Sequence, residues 1–174
     1  MKRLVLLLPL VFLLCACAHR SEIVWETVDD DLSETVGAWS DTYAIFVPTA
    51  DDVAVFAPTA AQTETVYAPE SGDYTMVTKT YLAADLESAV RQLSGFGASE
   101  LQIVQTTRHG LPEYRFAWYE PSGESGRVCS ADLIMDGERC YACVFSVQEA
   151  VGGKYASLIA DTFAHLSLRE SEGF

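Results

Sequence analysis

Cations are scarce in this chain: 11 Lys and Arg stand against 25 Asp and Glu, a formal net charge of −14 over 174 residues. So acidic a surface has too little Lys and Arg to displace phosphate counterions, which excludes nucleic acid and electrostatic docking on anionic lipid headgroups. Histidine is scarcer still, with His19, His109 and His165 only. A Ser/His/Asp machinery needing His109 or His165 therefore has few members to draw on, and no nucleophile elbow accompanies them. Glycine-rich phosphate cradles are missing too, because Gly95-Phe96-Gly97 is short and follows a helical pattern instead of opening one. No internal repeat or low-complexity tract is visible, so one core is expected.

One long apolar run is present. Leu4 to Leu14 follows Lys2-Arg3, has the length of a secretory h-region, and is too short to cross a hydrocarbon core of roughly 30 Å as a helix. It closes in Leu14-Cys15-Ala16-Cys17, which matches the lipobox pattern L-x-[AGS]-C. The spacing predicts cleavage before Cys17, whose thiol takes a diacylglyceryl group, each buried CH₂ adding about 0.8 kcal/mol of membrane affinity. Ala18 follows in place of Asp, which permits an outer membrane in a two-membrane cell; in a one-membrane cell the anchor stays in the plasma membrane. Residues 1–16 are thus read as signal, 17–21 as lipidated cysteine and short tether, and 22–174 as a single α+β domain held outside the cytoplasm. With so little linker, the domain is expected to work close to the bilayer.

Strand-like segments come first: Ile23 to Val28, Tyr43 to Val47, Val53 to Phe56 and Thr65 to Tyr67, punctuated by Pro48, Pro58 and Pro69. Asp73 to Tyr81 alternates and is rich in β-branched and aromatic residues, which predicts a longer strand with one buried face. A helix follows, with Asp85 as N-cap, Leu86, Ala89, Val90 and Leu93 as one apolar stripe, and Gly95 as the stop. Leu101 to Thr106, Glu113 to Tyr119, Arg127 to Ile134 and Arg139 to Val147 read as antiparallel strands with turns at His109-Gly110 and Asp136-Gly137. A last helix carries Tyr155, Leu158, Ile159, Thr162, Phe163 and Leu166, entered from Gly152-Gly153 and covering the sheet.

With Cys15 lost and Cys17 lipidated, Cys129, Cys140 and Cys143 remain, an odd number that allows one internal disulfide at most. If Met135-Asp136-Gly137 forms a three-residue loop, Cys129 lies opposite Cys143 and the two are a candidate disulfide; a two-residue Asp-Gly turn instead opposes Cys129 to Val144. The reading of all three as small buried core residues comes first, and the disulfide second. Cys140 and Cys143 form C-x-x-C, but residues three apart on a strand point to opposite faces, which argues against a shared metal or redox pair. No second C-x-x-C or His pair supports zinc, and Asp29-Asp30-Asp31 and Asp51-Asp52 lack the spacing of a calcium loop, so no metal and no cofactor is expected.

The order of these elements resembles the PsbP-like fold: a helix ending in Leu93-Ser94-Gly95, strands, a hairpin holding Asp136-Gly137 and Tyr141, then a helix from Tyr155 ending in Leu166-Ser167-Leu168. That family includes the extrinsic photosystem subunit and many small bacterial lipoproteins. The resemblance covers the chain from its first strand to Leu168, and implies an antiparallel β-sheet flanked by helices that serves as a protein-binding or assembly module rather than an enzyme. It carries no catalytic or ligand motif to transfer. The expectation is a membrane-tethered, non-catalytic envelope protein with an envelope protein as partner. The alternative is a binder of a small apolar or peptide ligand between sheet and C-terminal helix, lined by Trp39, Trp118, Tyr119 and Tyr141.

Overall fold

The computed structural model describes residues 32–56, 62–122 and 125–171. The signal, Cys17 and the strand expected at Ile23 to Val28 lie outside them. Among the described residues, ten strands form two antiparallel sheets. The small sheet has order β1-β2-β10 and the large one β3-β4-β5-β9-β8-β7-β6. The strands are β1 (Ser33–Trp39), β2 (Tyr43–Thr49), β3 (Val53–Phe56), β4 (Glu64–Pro69), β5 (Tyr74–Leu82), β6 (Ile103–Arg108), β7 (Leu111–Ser122), β8 (Ser125–Asp136), β9 (Arg139–Gln148) and β10 (Ser167–Glu170).

The period-2 pattern of the central strands splits the core in two. On β9, Tyr141, Cys143, Phe145 and Val147 face the small sheet and the C-terminal helix, together with Tyr67, Tyr74, Met76, Ile45, Val47 and Phe163. Cys140, Ala142 and Val144 point the other way, against Phe116, Trp118, Cys129, Leu133 and the first helix. Because both faces of β8 and β9 are covered, these strands read as nearly continuous apolar runs.

Helix α1 (Leu86–Ser94) forms where its stripe and caps predict. Ser88 N–H donates to the Asp85 carboxylate at 2.8 Å and Asp85 N–H to Ser88 Oγ at 3.1 Å, a reciprocal box, and Gly95 takes the left-handed conformation at φ 79°. Leu86, Ala89, Val90 and Leu93 all pack on the sheet.

The C-terminal segment departs from the sequence reading. Glu149–Tyr155 is 3-10 helix, α2 spans only Ala156–His165, and Ser167–Glu170 leaves the helix to pair with β2, Leu168 opposite Ile45. Tethering fixes the entry: the Tyr155 hydroxyl donates to Asp73 at 2.5 Å and its ring packs 4.9 Å from Tyr74.

Both sequence-based registers for the last hairpin are also corrected. Its loop is Gly137-Glu138, closed by Asp136 opposite Arg139, with Gly137 at φ 59° in the first central position that a type II′ turn reserves for glycine. Cys129 therefore lies opposite Ser146, and Cys143 opposite Asp132.

Candidate functional site

Two features stand out: a cleft at one end of the interface between the sheets, and a buried charge network near α2.

The cleft forms because β5 and β9 run on past the end of β4, with the β1–β2 turn arching over them. Its volume is about 540 Å³, and Trp39, Asp41, Thr80, Leu82, Arg139 and Tyr141 line it. Its walls are fixed by hydrogen bonds. Thr80 Oγ1 donates to the Trp39 carbonyl at 3.0 Å, Trp39 N–H donates to the Gln62 carbonyl at 3.0 Å, and the Ser40 and Tyr141 hydroxyls share a bond of 2.9 Å. Burial raises the Tyr141 phenol, with the Ser40 bond opposing it. At the mouth, Arg139 donates to Asp41 at 2.7 Å and to the Thr42 hydroxyl. The lining combines apolar side chains with one compensated cation, which suits holding a small molecule or a side chain by contact and hydrogen bonding.

Of the four aromatics expected to line a ligand site, the structure brings together Trp39 and Tyr141 only. Trp118 is buried on the opposite face with Phe116 and α1, and Tyr119 is 46% exposed, its hydroxyl donating to Glu149. No residue of α2 lines the cleft, so the site is displaced from the sheet–helix boundary where the sequence reading put it.

The sequence reading missed the charge network. Arg108, Glu113, Arg115 and Asp132 meet on the large sheet beneath the end of α2. Arg108 donates to Glu113 at 2.7 Å, and Arg115 donates to Glu113 at 2.9 Å and to Asp132 at 3.0 Å. Both guanidiniums also cap the helix: Arg108 reaches the carbonyls of Phe163, Ala164 and Leu166, and Arg115 that of Phe163. Cations there complement the negative end of the helix dipole. Desolvation, then repulsion by Glu113, pushes the Asp132 carboxyl up to about 7. Burial works to raise Glu113 as well, but the Arg108 bond and its neighbours outweigh it and hold Glu113 below the usual range.

The register sets the candidate disulfide pair Cys129 and Cys143 apart, and the three cysteines sit as small buried core residues. Cys129, Cys140 and Cys143 are free and buried. Cys129 sits on the α1 face and Cys143 on the face below α2, so the sheet itself separates the two sulfurs proposed for a disulfide. Burial raises all three thiols, that of Cys140 to about 11, which keeps them protonated. His109 occupies the β6–β7 turn at φ 52°, and His165 ends α2 with its ring nitrogen 2.9 Å from the Asp161 carbonyl. Among the described residues no three His, Cys, Asp or Glu side chains gather as a metal set, and no helix is long and apolar enough to cross a membrane.

No family model and no curated protein matches the sequence. Solved structures do resemble it. Cyanobacterial PsbP (CyanoP) from Synechocystis sp. PCC 6803 superposes with a TM-score of 0.59 at 11% identity, over 83% of this chain and 96% of that one. LpqN, involved in cell envelope biogenesis of Mycobacterium tuberculosis, superposes with a TM-score of 0.50 at 14% identity, over 80% and 92%. At these identities the likeness is one of fold: the chain has the PsbP-like α+β architecture of antiparallel sheets with two helices.

Proposed function

We propose that this chain is a lipid-anchored, non-catalytic protein of the cell envelope whose folded domain binds another envelope protein. The observation that carries the reading is the tetrapeptide Leu14-Cys15-Ala16-Cys17 ahead of a PsbP-like domain. LpqN, with the same overall fold, is involved in envelope biogenesis in its own organism, which supports the compartment. The acidic balance keeps the domain soluble at a membrane surface and off nucleic acid.

Cys17→Ser tests the anchor. The variant precursor stays unacylated and leaves the membrane fraction or accumulates unprocessed, whereas unchanged retention and mass would overturn the anchor. In-cell crosslinking from the sheet surfaces, followed by identification of captured proteins, tests the partner; a domain that captures no envelope protein would overturn the binding role.

The cleft supports a second reading, a small ligand held near Tyr141 and Arg139. Arg139→Ala would then weaken the binding of a ligand found by screening the purified protein. A ligand bound equally well by the variant would sink this reading.

A further inference from the structure

Among the described residues four strands end the two sheets, and three of these edges are guarded in the ways that keep sheets from pairing with other chains. Strand β1 carries Glu34 and an irregular register after Val36. Strand β10 carries Arg169 and Glu170, with Arg169 paired to Glu34 at 2.6 Å. Strand β3 is four residues long and entered through Asp51-Asp52.

Strand β6 has no such guard. Ile103-Val104-Gln105-Thr106-Thr107 carries no charge, no proline and no glycine, and it pairs with β7 in unbroken register from Ile103 to Arg108. Val104 through Thr107 are exposed, Val104 at 65%. Among the described residues nothing pairs with its outer side.

The hairpin dictates which backbone groups that side presents. His109 and Gly110, at φ 52° and 80°, form a two-residue loop with both central residues left-handed, closed by Arg108 opposite Leu111. The closing pair of such a hairpin exchanges both hydrogen bonds, and bonded pairs then alternate. Arg108, Thr106 and Val104 thus spend their N–H and C=O groups on β7, while Thr107, Gln105 and Ile103 direct theirs outward.

We propose that β6 is a self-association edge, on which two copies of this chain pair β6 to β6, antiparallel, about a two-fold axis through Gln105. In that register every outward-bonding residue meets another. Ile103 faces Thr107 of the second copy and Gln105 faces its own equivalent, giving about six N–H···O bonds from three bonded pairs. Between them Val104 packs against Thr106 of the second copy, a β-branched pair that favours pairing.

A second copy suits this edge better than an unrelated strand, because the segment is complementary to itself and opposes no like charges on pairing. The charges nearest to it on the sheet, Arg108 and Arg115, are committed to Glu113 and Asp132. In a chain of net charge −14, the β6 edge is therefore a place where two copies meet without acid facing acid.

The test uses the full chain in its membrane and in detergent micelles. Only a residue on the two-fold axis reacts with its own equivalent, so under mild oxidation Gln105→Cys gives a disulfide-linked species of twice the chain mass, while Val104→Cys gives none. Gln105→Lys, an exposed substitution, puts like charges on the axis and shifts the native mass from two chains to one with an unchanged melting temperature. A one-chain mass for the unaltered protein, a dimer that survives Gln105→Lys, or an adduct of Gln105→Cys with a different protein would each overturn the proposal.

Discussion

Asp132 lies directly across the β7–β8 pair from Arg115, whose Nε donates to Asp132 Oδ2 at 3.0 Å, while Asp132 Oδ1 is buried without a hydrogen-bond partner among the described residues. A carboxylate in that setting has more to gain from a proton than one in water, since protonation relieves the cost of burying its charge, then its repulsion with Glu113, and lets it donate a hydrogen bond.

Stability should therefore depend on pH through Asp132. In the unfolded chain its carboxyl loses the proton near pH 4, whereas in the folded protein it keeps it up to about 7. Over that window the folded state binds the extra proton, so the contribution is fully present below about 4 and is lost as pH rises through 7. Glu113 is shifted the other way, and its effect lies below the ordinary carboxylate range, outside the window from 5 to 8. Denaturant unfolding at pH 5, 6, 7 and 8 is expected to show stability falling by up to about 1.4 kcal/mol per pH step. Asp132→Asn should flatten that slope; identical slopes would disprove the assignment.

Arg108→Ala should be strongly destabilising. It leaves Glu113, 3% exposed, with one cation fewer and removes the donors to three carbonyls at the end of α2. Breaking a buried pair by removing one partner costs about 3–5 kcal/mol. Urea midpoints of the variant and the unaltered protein measure it, and a loss below 1 kcal/mol would mean that the network is solvated.

Gly37 lies where β1 crosses β5. A Cβ built there would sit 2.4 Å from the Oγ1 of Thr78, a buried side chain that accepts a hydrogen bond from Ala38 N–H. Gly37→Ala must push the two sheets apart or break that bond, at about 1–3 kcal/mol. The readout is the melting temperature, and an unchanged value would place β1 farther from β5.

The thiols offer a direct check on the hairpin register. The purified chain, unfolded without reductant and alkylated, should gain label at Cys129, Cys140 and Cys143, and digestion should give no Cys129–Cys143 linked peptide. Recovery of that peptide would require both sulfurs on one face of the sheet, against the observed pairing of Cys129 with Ser146.

Much of the fold could be read locally. Strand β5 shows its alternation from Tyr74 to Leu82, α1 announces both caps at Asp85 and Gly95, and His109-Gly110 and Asp136-Gly137 mark two hairpins. What escaped depends on partners distant in sequence. Ser33–Trp39 has a weak apolar pattern and is a strand because β2 pairs with it; Ser167–Glu170 continues a helical stripe until β2 claims it. Glu113 and Arg115 alternate with Tyr114 and Phe116, which reads as a solvated face, yet α2 covers that face. The available signal was Asp132, an acid set inside the run Ala131 to Met135. The cleft depends on β4 ending before β5 does, and its pairing of Trp39 with Tyr141 joins residues that no local pattern links.

Strand β10 binds β2 on the side that β1 leaves open, so the small sheet joins the first two and the last of the described strands. Such a sheet cannot close until residues near 170 have been delivered, and until then Ile45 and Val47 lack part of their cover. A truncation ahead of Ser167 would strike strands β1 and β2 as hard as it strikes the missing tail.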